Sequence, residues 1–142
     1  MAIASIKDST MMYFSCDVGK FLDSKRGTLD IDNYIYEEMF GTEFGMDKRE
    51  RIMTFDSGSS HAMTLKAVDI DKEGNTVKWQ VENSWCANSG FQGTLIMTDK
   101  WFDEYMFRLV VDKKYIPAEI LKVLDEKPTM LPAWDPMFMP EE

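Results

Sequence analysis

The segment that most constrains the fold is Thr76-Val77-Lys78-Trp79-Gln80-Val81-Glu82-Asn83. Apolar and polar residues alternate strictly, with Val77, Trp79 and Val81 on one side and Lys78, Gln80 and Glu82 on the other. A period of two marks a strand packed on one face and wet on the other. Residues 61–70 alternate more loosely and read as a second strand. The polar run Asp69-Ile70-Asp71-Lys72-Glu73-Gly74-Asn75 between the two carries Gly-Asn at its tip. That is a hairpin connection, so the strands lie side by side and antiparallel.

Other segments build around this hairpin. Met11-Met12-Tyr13-Phe14-Ser15-Cys16 is nearly continuous in apolar character and predicts a strand buried on both faces. Residues 93–98 and 107–111 predict two more strands, and residues 17–30, with their glycines and charges, a loop. Short helices are expected over 34–40, ending at Gly41, and over 47–53, with Lys48, Arg49, Glu50 and Arg51 as a solvated face. A helical turn capped by Asp99 is expected over 99–105, and a helix over 117–124 with Pro117 in its first turn. Residues 1–8 read as the last turns of a helix, with Ala2, Ile3 and Ile6 on one side, as in a chain cut from something longer. Pro128, Pro132, Pro136 and Pro140 exclude regular structure near the end. The expected organisation is a domain over 1–126 followed by an extended arm over 127–142. Strands in series with short helices around them make the class α+β.

Charge and cysteine usage narrow the function. The net charge of −9 repels phosphate backbones, so no nucleic-acid partner is expected. No apolar run approaches the roughly 18 residues that span a bilayer, and the start lacks the pattern of a signal peptide, so no membrane partner is expected. Two cysteines, a single histidine and no CxxC spacing predict neither a metal site nor a cofactor. They suit a reducing, cytoplasmic setting with free thiols.

The residues that can carry chemistry sit on the hairpin. His61 begins the first strand and Asn83 ends the second, so 22 positions of sequence separate residues that the hairpin brings together. A carboxamide oxygen beside an imidazole accepts a hydrogen bond from one ring nitrogen. It sets the tautomer and leaves the other nitrogen facing a nucleophile, the logic of a Cys-His-Asn protease. Trp85, two residues on, is placed to shield that bond from water. The residues alone also allow a plainer outcome: a lone, partly buried histidine and a strand-ending turn with a core tryptophan.

Ser60-His61-Ala62-Met63 and Val81-Glu82-Asn83-Ser84-Trp85 resemble the histidine and asparagine motifs of papain-like peptidases, specifically the bleomycin hydrolase and bacterial aminopeptidase C branch. Cys16-Asp17-Val18-Gly19-Lys20, residues 97–105, Val110-Val111-Asp112-Lys113-Lys114 and Leu131-Pro132-Ala133-Trp134-Asp135-Pro136-Met137 resemble the same branch, so the likeness runs along essentially the whole chain. The resemblance implies the C-terminal portion of the papain-like fold, with a barrel-like antiparallel sheet. It implies thiol catalysis that removes N-terminal amino acids from peptides, with His61 as base and Asn83 as its orienter. Ser60 and Glu142 would be substrate contacts, the C-terminal arm lying in the cleft with its carboxylate toward the substrate's amino group; a flexible tail is the plainer alternative. The resemblance also implies a homo-oligomer, a hexamer in the complete enzymes.

The chain departs from the pattern in one essential. The family's nucleophile sits in a Cys-Gly-Ser/Ala-Cys-Trp-like segment, with the oxyanion-hole glutamine just before it, and neither occurs here. Cys16 matches a non-catalytic cysteine of the family. Cys86 stands where the family usually has glycine, which questions the turn after Trp85 if that glycine uses a positive φ. The expectation is a chain without activity alone, completed by the missing N-terminal half of the peptidase or associating with itself through exposed apolar surface. The alternative is a non-catalytic peptide-binding or assembly module with a papain-like remnant fold.

Overall fold

The computed structural model describes residues 1–135. In chain order the elements are helix α1 (Ala2–Lys7), strands β1 (Met12–Cys16), β2 (Leu22–Asp23) and β3 (Thr28–Leu29), a 3-10 turn (Ile31–Asn33), and helices α2 (Tyr36–Phe40) and α3 (Lys48–Met53). Strands β4 (His61–Ile70), β5 (Thr76–Glu82) and β6 (Thr94–Thr98) follow, then helix α4 (Asp99–Tyr105), strand β7 (Met106–Val110), a 3-10 turn (Lys113–Tyr115) and helix α5 (Ala118–Leu121), which runs into a 3-10 turn (Lys122–Asp125). The seven strands form one sheet in the order β2-β3-β6-β5-β4-β1-β7, curled into a half-barrel.

The hairpin lies at the centre, as its alternation requires. Leu65 pairs with Val81, Val81 with Leu95, and Trp79 with Met97, so one face carries a continuous apolar row across β4, β5 and β6. β1 extends it on the other side through Phe14 opposite Met63. Phe14, Leu65, Val81, Leu95, Met97 and Trp101 are fully or almost fully buried. Each such side chain contributes about 1.5–3 kcal/mol over leaving it in water. The two core tryptophans satisfy their indole N–H groups: Trp79 donates to Asp99 Oδ1 at 2.8 Å and Trp101 to the Lys20 carbonyl at 2.7 Å.

Several expectations change. Residues 17–30 are not only loop, because β2 and β3 form a short hairpin there. Asp23 Oδ1 accepts the backbone N–H groups of Lys25 and Arg26, and Asn33 Nδ2 donates to the carbonyls of Phe21 and Thr28. β3 also pairs parallel with β6, so the sheet is antiparallel at every pair but that one. Val77, expected on the packed face with Trp79, is exposed, because β5 overhangs the core near the hairpin tip. Tyr13 is exposed too, so β1 is not buried on both faces along its length. Helix α4 is capped by Thr98, whose hydroxyl accepts the Trp101 N–H; Asp99 instead holds the Trp79 indole. Helices α2 and α3 begin two residues and one residue later than expected, and α3 carries a full capping box between Asp47 and Glu50.

Of the proline-rich arm, residues 127–135 contain no helix or strand. Among the described residues, no helix is long and apolar enough to cross a membrane.

Candidate active site

Strand register brings the two polar residues together. β4 begins with His61 opposite Cys16 of β1, two residues before Met63 opposite Phe14. On the other side Thr64 faces Glu82. One step further in that register sets Asn83 opposite Met63, on the same face as His61 and diagonal to it. Diagonal neighbours lie about 7–8 Å apart, within reach of longer side chains. His61 Nε2 and Asn83 Oδ1 close the gap at 2.8 Å.

The proton on that bond follows from the neighbouring contact. The backbone N–H of Ser84, which can only donate, points at the same Asn83 atom at 2.8 Å. That atom is therefore the carboxamide oxygen, and His61 must donate to it from Nε2–H. Nδ1 is left with its lone pair, free to take a proton. Asn83 is itself held in place: it is buried, and its backbone N–H donates to the Gly93 carbonyl at 2.9 Å. Its amide nitrogen is also buried and has no hydrogen-bond partner among the described residues.

The Trp85 ring lies over the imidazole, with centroids 4.9 Å apart and planes inclined by 35°. The residue is 39% exposed. Cys86 follows in the left-handed region at φ +68°, a conformation that costs an L residue about 1–2 kcal/mol and that glycine adopts freely. Its side chain is exposed.

The two cysteines sit in different surroundings. Cys16, the ladder partner of His61, is fully buried, and desolvation followed by the Asp17 carboxylate pushes its thiol up to about 12. A thiol so shifted stays protonated near neutrality, and the thiolate is the attacking form. Cys86 is not at a helix N-terminus, where a thiolate would be stabilised.

The remaining expected site residues are placed as follows. Ser60 adjoins the base, with its backbone N–H on the Cys16 carbonyl at 3.1 Å and its hydroxyl shared between that carbonyl and Asp17 Oδ1, each at 3.4 Å. Glu142 lies outside the described residues. Two residues not expected in the site join its surroundings: Asp17, quoted above only within a family-like stretch, and Ser57, both buried, are linked by a 2.8 Å hydrogen bond from Ser57 Oγ to Asp17 Oδ2. The only signal in the sequence was an acid directly after an apolar run.

Comparison with known proteins agrees with this architecture. A model of the Peptidase C1-like family matches residues 1–138. The chain is 49% identical over 140 residues to bleomycin hydrolase of Rattus norvegicus, covering 96% of this chain and 31% of that protein. It is 39% identical over 137 residues to aminopeptidase C of Lactococcus lactis, with the same coverage on both sides. The crystal structure of pepw from Lactobacillus rhamnosis superposes with a TM-score of 0.90 at 40% identity, over 96% of this chain and 31% of that one. A half-barrel of this kind, with the His-Asn pair on its rim, defines the C-terminal portion of a papain-like fold. The chain belongs to the Peptidase C1-like family and spans about 31% of the length of the relatives it matches.

Proposed function

We propose that this chain is the part of a cysteine aminopeptidase that supplies the general base and its orienter, in the removal of N-terminal amino acids from peptides. His61 takes the thiol proton on Nδ1, and Asn83 keeps the ring in the Nε2–H tautomer throughout. Trp85 shelters the His–Asn bond. Ser60 beside the base and Glu142 at the end of the arm over 127–142 contact the substrate. The nucleophile comes from polypeptide outside these 142 residues, so the chain alone turns nothing over. The 2.8 Å contact between His61 and Asn83 is the observation that carries this reading. The names of the relatives, bleomycin hydrolase and aminopeptidase C, support it.

The chain's apolar surface fits a role inside a larger assembly. Tyr34, Tyr36, Phe40 and Phe44 form a run of ring contacts with centroids 5.5, 6.3 and 6.4 Å apart, all four at least partly exposed. On the proposed reading that surface is covered by the rest of the peptidase or by further copies, in a reducing, cytoplasmic compartment.

The test is kinetic. Purified chain is offered an aminoacyl fluorogenic substrate, with and without a thiol-trapping epoxide. No turnover is expected until the upstream polypeptide of a bleomycin hydrolase is added in trans, and the restored turnover should be sensitive to the epoxide. Epoxide-sensitive turnover by the isolated chain would overturn the proposal. Failure of rescue together with peptide binding would favour a non-catalytic module.

A further inference from the structure

We propose that Asp17 is a positioning residue for His61, acting through the loop that delivers the histidine to the sheet. The inference rests on the reading of His61 and Asn83 as a catalytic pair.

The loop over residues 54–60 joins α3 to β4 and ends one residue before His61. Two of its serines reach back to the same carboxylate. Ser57 Oγ donates to Asp17 Oδ2 at 2.8 Å, and Ser60 Oγ points at Asp17 Oδ1 at 3.4 Å. Gly58 and Ser59 lie between them, so the carboxylate closes a short bridge over the final turn before β4. The backbone reinforces the bridge where Ser60 N–H meets the Cys16 carbonyl at 3.1 Å.

Asp17 is itself fixed. It directly follows Cys16, the ladder partner of His61, and its own N–H donates to the Tyr105 carbonyl at 3.0 Å. It is only 9% exposed and Ser57 only 6%. A carboxylate removed from water is costly unless its oxygens are hydrogen-bonded, and here hydroxyls of the loop supply those bonds. The second link between the segments, Lys20 to Asp56 at 3.2 Å, is a surface ion pair and holds little. A histidine at the first position of a strand has the ladder on one side only. The turn before it settles where the ring stands, and a shift of about 1 Å breaks a 2.8 Å bond to Asn83.

The sole histidine of the chain makes the test unambiguous. In a sample with 15N-labelled imidazole, the Nε2-bound proton should be visible at low temperature, in slow exchange with water, with a nuclear Overhauser contact to Trp85. Asp17→Ala should speed that exchange about fivefold, the equivalent of one ordinary hydrogen bond. Ser57→Ala should do the same more weakly. Asp17→Asn should largely restore the wild-type rate, since its oxygen still accepts from Ser57. Asp71→Ala, which removes a carboxylate at the distant hairpin tip, should leave it unchanged. A folded Asp17→Ala chain with dispersed amide signals and wild-type exchange would sink the inference while leaving the catalytic pair intact. Should Asp17→Ala not fold, wild-type exchange in Ser57→Ala has the same force. A wild-type chain without a slow Nε2 proton removes the pair itself, and this inference with it.

Discussion

Asn83→Ala separates the chemistry of the pair from the stability of the fold. The Asn83 oxygen accepts two hydrogen bonds of 2.8 Å, from His61 and from Ser84, while its amide nitrogen is buried without a partner among the described residues. Losing two bonds costs about 2 kcal/mol at about 1 each, less if water reaches the exposed Ser84. Deleting the unpartnered amide returns its desolvation cost, about 1–3 kcal/mol. The terms nearly cancel, so the free energy of unfolding should change by no more than about 1 kcal/mol, read as a denaturant midpoint at constant slope. Turnover should not escape so lightly. A hydrogen bond to a charged partner is worth about 1.5–3 kcal/mol, and on the proposed reading the His61 ring becomes such a partner when it takes the thiol proton. At about 1.4 kcal/mol per factor of ten, kcat should fall about 10- to 100-fold, with KM moving much less. The assay is the chain complemented with upstream polypeptide, acting on an aminoacyl fluorogenic substrate. Unchanged kcat would deny Asn83 the orienting role. A stability loss above about 3 kcal/mol would show that the amide nitrogen has a partner and that the ledger is wrong.

Three further outcomes follow from the backbone and the thiols. Cys86→Gly relieves a left-handed φ of +68° at an exposed side chain; against the extra unfolded-state entropy of glycine, a net gain of about 0.5–1 kcal/mol is expected in chemical denaturation. Gly90→Ala should cost roughly 2–4 kcal/mol, because a Cβ there would lie 2.4 Å from the Thr94 carbonyl oxygen at a φ of +58°; a neutral result in the same assay would mean that the turn after Trp85 relaxes freely. Cys16 has a thiol raised from 9.0 to about 12 by burial, so the folded chain binds more protons than the unfolded one between those values. Its contribution is complete below pH 9 and is lost as pH climbs toward 12, at up to about 1.4 kcal/mol per pH unit, and Cys16→Ala should flatten that part of a stability–pH curve.

How much of this was legible depends on the length scale of the signal. The β5 strand announced itself because Lys78, Gln80 and Glu82 alternate with Trp79 and Val81 over enough residues to define two faces. The polar tip then implied β4, and the hairpin implied that its two open ends, with His61 and Asn83, are neighbours. Runs of five or six residues, as in β6 and α3, were also legible; shorter ones were not. β2 and β3 have two residues each, too few for any period, and stand on side-chain bonds from Asp23 and Asn33. The parallel pairing of Thr28 with Ile96 joins residues far apart in sequence, and no local pattern encodes it. Val77 has the right residue type in the right phase, yet lies near the hairpin tip and is 46% exposed. The link from Asp17 to Ser57 also depends on tertiary placement alone, since 40 residues of chain lie between its partners.

The placement of Cys16 shows why proximity to a base does not make a nucleophile. It is paired across the ladder with His61, and on position alone it invites a catalytic role. The burial that makes β1 a sound central strand is what disqualifies it. With no exposure and a thiol raised to about 12, Cys16 stays protonated near neutrality and is shut off from substrate. A working thiol needs the opposite surroundings: partial exposure and nearby positive charge. On the proposed reading, the half-barrel and the loops at its edge set the tautomer and orientation of His61. The proposed division of labour follows, with the base on this rigid half and the sulfur on separate polypeptide that approaches the rim where Trp85 leaves the imidazole partly open.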